Sequence, residues 1–293
     1  MSPASKKLLI ITGDDFGLSH DANRAILQAH LDGVLTTASL MVSGKAADEA
    51  IAIAKSHPSL AVGLHLVLTQ GRSVLPAFQI PALVDDFGAF PNNSVYAGFR
   101  YFFNRSLRDP LEAEITAQIE RFLASGLTLD HVNGHLNIHL HPTVLKILLA
   151  LSDRYPIKSL RLAREPFWIT VVHDPRHLGY KISHAVIFRL LSAWARRRTS
   201  GHGIASNDRL YGLLESGAMT ERYLLKLIRR LKPGTTEIYC HPGSSDCSEQ
   251  ARWMPGYRHD EETAALISPA LREAVTRSGA ILTSYSGAVK GAI

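Results

Sequence analysis

LLIITGDDFG, residues 8–17, is a run of strand-forming aliphatic residues that stops at two aspartates and a glycine. An unbroken apolar strand suits a parallel sheet covered on both faces, whereas a strand with one wet face alternates. The pattern returns along the chain. TTASLMV (36–42), LAVGLHLVL (60–68), LTLDHVN (127–133), IKSLRL (157–162), TEIYC (236–240) and AILTSY (280–285) are further strand candidates. Helical patterns separate them: one capped by Ser19 or Asp21 and running to about His30, then Ala46–Lys55, Leu111–Ala124, Val144–Leu151 led by Pro142, Met219–Leu231 and Asp260–Arg277. Repeated strand–helix units predict an α/β fold with parallel strands, and about seven strands favour a barrel over an open sheet.

Hydrophobic residues form 46% and charged residues 20% of the 293, the balance of a globular chain. We expect one domain over 1–293, with a lid-like insertion at 69–109 and an irregular helical insertion at 164–218. No window reaches the ~18 apolar residues of a spanning helix. The start, MSPASKKLLIITGDD, has too short an apolar run for a signal peptide. The only cysteines, Cys240 and Cys247, suit a reducing compartment, so a cytoplasmic location is the expectation. Cys240 and His241 are strand neighbours and point apart, which argues against a nucleophile pair. The net charge of +6 owes much to Arg189 and Arg196–Arg198. No zinc-finger spacing, RNP-type pattern or Walker loop accompanies it, so nucleic acid is not an expected partner.

Polar groups gather at one kind of place. Asp14 and Asp15 end the first strand, His65 lies late in the third, Asn133 and His135 end the fourth, Arg161 and Arg164 the fifth, and His241 follows TEIYC. In parallel α/β folds the carboxyl ends of strands converge, and sites are built there. The stretch HVNGHLNIHLHP (131–142) holds four of the fourteen histidines. Read as a continuing strand, it sets His135, Asn137, His139 and His141 on one side, a face too costly to bury without a metal or a wet crevice before it. One carboxylate with two imidazoles is a facial set for Zn²⁺, Mn²⁺ or a similar divalent ion. A second carboxylate could take a proton from water, and Asp14 and Asp15 supply both roles. A hydrolase site follows.

The stretches TGDDFGLS (12–19), VGLHLVL (62–68), LDHVNGHLNIHLHP (129–142), LRLAREP (160–166) and EIYCHPG (237–243) resemble, in order, the YdjC-like carbohydrate deacetylases. That family is related in chemistry to the polysaccharide (NodB-type) deacetylases. HLHPTV (139–144) and YGLLESGAMTE (211–221) bring the pattern closest to the subgroup associated with hopanoid biosynthesis. The resemblance implies a distorted parallel (β/α) barrel and removal of acetyl from an N-acetylglucosaminyl group, on a hopanoid lipid or a soluble chito-oligosaccharide. It further implies Asp15, His65 and His135 as metal ligands, with zinc expected first and Mg, Mn, Co or Ni compatible. Asp14 would be the base, and His241 the general acid or the group binding the oxyanion or acetyl. His139 would contact substrate or serve as a fourth ligand, Arg164 would steady a carboxylate, and Asn133 and Arg161 would support the ligands or the sugar.

Residues 181–198 carry helically spaced Ile182, Val186, Ile187, Leu190, Leu191 and Trp194 beside arginines. Such a helix packs on its own core or on a twin subunit, or lies on an anionic membrane, here the inner face. Two rivals compete with the deacetylase. A glycosidase needs carboxylates ~5 Å or more apart across the scissile bond, which adjacent residues rarely provide. A binding protein with a relic site would ignore chelation.

Overall fold

The computed structural model describes residues 6–290; the parts of the leader reading and of the 1–293 domain expectation that fall on 1–5 and 291–293 lie outside the described residues. Seven strands form one sheet: β1 (Lys7–Phe16), β2 (Thr37–Leu40), β3 (Ala61–Leu66), β4 (Leu129–Gly134), β5 (Arg209–Tyr211), β6 (Gly234–Cys240) and β7 (Ile281–Leu282). The order is β4-β3-β2-β1-β6-β5, and every ladder is parallel. β7 pairs with Leu8 and Leu9, beside the stretch of β1 that precedes its pairing with β2. Single bridges Val132↔Leu160 and Ser159↔Ala205 carry backbone contact from β4 toward β5, so the sheet curls into a distorted (β/α) barrel.

The unbroken aliphatic run of β1 explains its central place: Leu9, Ile10 and Ile11, on both faces of the sheet, are almost wholly buried. The first helix, His20–Leu31, starts where Ser19 accepts the N–H of Ala22. Helices Ala47–Ser56, Arg108–Ala124 and Pro142–Leu151 fall within a few residues of the pattern.

Four expectations are corrected. IKSLRL pairs with neighbouring strands only through two single bridges, while the Arg161 side chain turns to buried carboxylates. AILTSY pairs only at Ile281–Leu282, and Tyr285 opens a short helix instead. Asp260–Arg277 is two helices, His259–Ile267 and Pro269–Ser278, since Pro269 disfavours helical backbone at Ser268, which caps the second. Residues 164–218 hold the helical stretch read at 181–198 within Leu178–Gly201, and add helix Phe167–His173 and β5, where irregular chain was expected.

Glu165 ties this region together. Its carboxylate accepts the N–H groups of Leu213 (2.8 Å) and Leu214 (3.1 Å) and the hydroxyl of Thr170 (2.7 Å). Burial outweighs these bonds and pushes its pKa up from 4.5 to about 7. A carboxyl raised on folding stabilises the fold fully below its unfolded pKa and loses that contribution as pH rises through the folded one. The Tm advantage of wild type over Glu165→Gln should therefore be larger at pH 5 than at pH 8. Glu165→Gln can keep all three contacts, its amide donating to Thr170, and an equal Tm difference between the two proteins at both pH values would refute the assignment.

Candidate metal centre

Asp14 and Asp15 are consecutive, and a regular pleat would send them to opposite faces. β1 avoids this with one extra residue. Gly13 pairs with Ala38 and Phe16 with Leu40, so three steps on β1 match two on β2. Asp15 takes the surplus in a left-handed backbone, φ 62°. That conformation costs a non-glycine residue on the order of 1 kcal/mol, and Asp tolerates it better than most. Both carboxylates consequently serve one site.

His65, late in β3, and His135, just after β4, close on Asp15. His65 Nε2 lies 3.2 Å and His135 Nδ1 3.1 Å from the same oxygen, Asp15 Oδ1. Asp15, His65 and His135 are all buried, and their ligand atoms lie within 4.8 Å of one another. Asn133 Oδ1 accepts a hydrogen bond from His65 Nδ1 (2.7 Å), which turns Nε2 toward the carboxylate. Asn133 Nδ2 donates to Ser39 Oγ (2.8 Å), and Ser39 Oγ lies 3.1 Å from His131 Nε2. Asp15 Oδ2 and His135 Nε2 are buried without any hydrogen-bond partner. Unpaired buried acceptors beside a carboxylate are costly, and a divalent cation would satisfy them, so the donor set fits such an ion. Burial opposes ionisation of Asp15, but the two imidazoles outweigh it and hold the carboxyl well below its usual range.

Asp14 has a different partner. Arg161 Nη1 donates to its Oδ2 (2.5 Å) and Nη2 to its Oδ1 (3.0 Å). The same guanidinium reaches Glu237 Oε1 through Nε (3.1 Å) and Nη2 (2.7 Å), and lies 4.6 Å from the centre of the Tyr239 ring. Glu237 also accepts from Thr12 (2.7 Å) and Tyr285 (2.5 Å). Burial works against both charges. Arg161 nevertheless holds the Asp14 carboxyl below its ordinary range, and the two carboxylates hold Arg161 charged.

The imidazole row is not a strand. After Gly134 the chain turns through Leu136 (φ 51°) and Asn137 (φ 56°), both left-handed, so alternation ends. His139 faces away from the cavity, wholly buried. Its Nε2–H donates to the carbonyl of Arg161 (2.9 Å), and burial pushes its pKa down to about 3. It is not part of the Asp15, His65 and His135 cluster and does not line the cavity; it holds the Arg161 backbone. His141 donates to the carbonyl of Gly98 (3.1 Å) and caps helix Pro142–Leu151. Arg164 lines a separate cleft, and the contact expected of it is made by Arg161. His241 follows β6 and lines the site between Tyr239 and Tyr257, with Nδ1 unpartnered and its pKa pushed down to about 4 by burial.

Sequence reasoning missed Ser39, Glu237 and Tyr285. The first two had a signal, a polar or acidic residue inside an apolar strand that must find a buried partner. Tyr285 had none.

A cavity of about 590 Å³ opens over Asp14, His65, His135 and His241. Its rim includes Val95, Leu136, Tyr180, Ile187 and Phe188, from helices Ser94–Phe103 and Leu178–Gly201 and the turn after β4. The expected insertion at 69–109 thus supplies part of the rim.

Fold and site together define a parallel barrel protein with a carboxylate–bis-imidazole centre at its strand ends. Residues 8–277 match the family described as YdjC-like protein, and the chain belongs to that family. It is 32% identical over 289 residues to a carbohydrate deacetylase of Geobacillus stearothermophilus, covering 94% of this chain and 96% of the relative. A carbohydrate deacetylase of Vibrio parahaemolyticus is 28% identical over 285 residues, 96% of either chain. A crystallised Enterococcus faecalis protein ascribed to cellobiose-phosphate cleavage superposes with a TM-score of 0.73 at 27% identity, over 96% of this chain and 98% of that one.

Arg161→Ala would leave two carboxylates buried without their cation and should destabilise the protein by about 3–5 kcal/mol in urea unfolding. Arg161→Lys should recover only part of that, because a single ammonium cannot reproduce the fork to Asp14 and Glu237. Equal stability of the Ala variant would show that the ion cluster is not structural.

Proposed function

We propose that the protein is a divalent-metal-dependent N-deacetylase that removes acetyl from an N-acetylglucosaminyl group carried on a hopanoid lipid. The observation that carries this reading is the convergence of Asp15, His65 and His135, with Asp14 beside them, under an open cavity. The named activity of the full-length relatives supports the reaction class. A divalent ion held by those three residues, zinc before Mn, Co, Ni or Mg, would supply Lewis acidity to the acetamide carbonyl and to water.

The chain's own groups do the rest. Asp14, kept anionic and fixed by Arg161, accepts a proton from the water whose oxygen attacks the acetyl carbon. A carboxylate held this firmly is a weak base and suits a water already made acidic. His241, neutral through burial, donates an N–H to the acetyl oxygen as negative charge develops there. The C–N bond breaks, the proton taken by Asp14 passes to the departing amine, and acetate leaves. Asn133 orients His65 throughout.

The rim argues for a lipid-linked substrate. Val95, Phe99 and Ile187 are 65%, 62% and 51% exposed around or beside the mouth, a cost that a soluble sugar would not offset. The sugar occupies the polar floor and the hydrocarbon the rim. Helix Leu178–Gly201 also leaves Ile182, Val186 and Leu190 exposed near Arg189 and Arg197, a surface suited to peripheral contact with an anionic membrane. Sedimentation in solution separates this from a homodimer covering the same stripe. Among the described residues no helix is long and apolar enough to cross a membrane.

Acetate release should vanish on chelation and return with added zinc. Asp14→Asn should retain the metal and lose turnover by about 10²–10⁴-fold, whereas His65→Ala should lose metal and turnover together. Wild-type turnover by Asp14→Asn would remove the base assignment. Against an N-acetylglucosaminyl lipid and chitobiose side by side, kcat/KM should favour the lipid; a preference for chitobiose would leave the deacetylase standing and overturn the lipid assignment.

A further inference from the structure

A second cleft, of about 1240 Å³, lies on the protein and is lined by Arg164, Arg189, Arg196, Arg197 and Arg209. The five come from different places: the segment after Leu162, helix Leu178–Gly201, and the start of β5. Two carboxylates share the lining. Asp208 is engaged by Arg196 (3.0 Å) and by the backbone N–H of Thr235 (3.0 Å). Glu165 spends its oxygens on Leu213, Leu214 and Thr170. Among the described residues Arg164, Arg189, Arg197 and Arg209 have no carboxylate partner.

Guanidinium groups cannot relieve such crowding by losing a proton. Arg164 registers it: burial, then the positive charges of Arg196, Arg189 and Arg209, lower its pKa, with Asp208 opposing. Only an anion can offset the excess, and the planar fork of Arg matches phosphate oxygens two at a time. The volume leaves room for a phosphate ester with its organic part. Helical geometry, about 100° per residue, gives helix Leu178–Gly201 two working faces. Tyr180, Ile187 and Leu191 line the metal cavity, while Arg189, Ala193 and Arg197 line the cleft on another side.

We infer that this cleft is a binding site for a phosphate-type oxyanion, distinct from the metal centre and independent of the deacetylase reading. The phosphate could belong to a soluble ester or to a lipid headgroup, and two arms separate these sources. In the first, wild-type protein is titrated calorimetrically with inorganic pyrophosphate at fixed ionic strength, with sodium chloride as the control. Saturable single-site binding is expected, weakened at least tenfold in Arg189→Gln/Arg197→Gln, whose exposed positions should leave Tm unchanged. In the second, phosphatidylcholine vesicles with and without phosphatidylglycerol are co-sedimented with the protein. Retention on anionic vesicles alone, reversed by pyrophosphate and lost in the double variant, assigns the headgroup. Pyrophosphate binding without vesicle retention assigns a soluble phosphate. No saturable binding in either arm, or binding undiminished in the double variant, overturns the site.

Discussion

A single buried guanidinium, that of Arg161, is the constraint around which the barrel interior is arranged. It faces Asp14 from β1 and Glu237 from β6, and Glu237 in turn holds Thr12 of β1 and Tyr285 beyond β7. Charges in such a place are costly to desolvate, and the cluster persists because nearly every oxygen and N–H in it has a partner. Arg161 belongs to the segment that should have been a full strand between β4 and β5. Its neighbours Ser159 and Leu160 make the two bridges while Arg161 gives its side chain to the interior, so one short segment both carries backbone contact from β4 toward β5 and fixes the charge of the carboxylate beside Asp15, His65 and His135. His139 serves the same end from behind by holding the Arg161 carbonyl.

Much of this was legible in the chain. Strand ends carrying Asp14, Asp15, His65, His135 and His241 pointed to one crevice because parallel strands deliver their carboxyl ends to one side. What misled was local. The alternation in HVNGHLNIHLHP obeys the period of a strand, yet two left-handed residues end the strand at Gly134, and backbone sign is not written in hydropathy. Arg161 and Arg164 looked equivalent three positions apart; which of them turned inward depended on Glu237, seventy-odd residues later. The C-terminal strand shrank because Asp130 captures the N–H groups of Tyr285 and Ser286, contacts that no short-range pattern encodes.

The cavity has two chemistries in one volume. Its floor is charged or imidazole-rich and its rim aliphatic and aromatic, and helix Leu178–Gly201 contributes to the rim while turning arginines elsewhere. The basic surplus in the composition is thereby concentrated behind the helix that borders the mouth. Arg189 and Arg197 thus lie off the face of the helix that borders the cavity.

The extra residue in β1 has a consequence for how such a protein can change. Substitutions around Gly13–Phe16 alter one side chain each, but losing a residue there would restore an even pleat and rotate one aspartate out through the wall of the barrel. The chain would keep Asp14, Asp15, His65 and His135 in the same order, yet the two carboxylates would no longer serve one site. Length here is as much a determinant of chemistry as identity, so deletions in this stretch should be purged from descendants far more severely than point changes beside them.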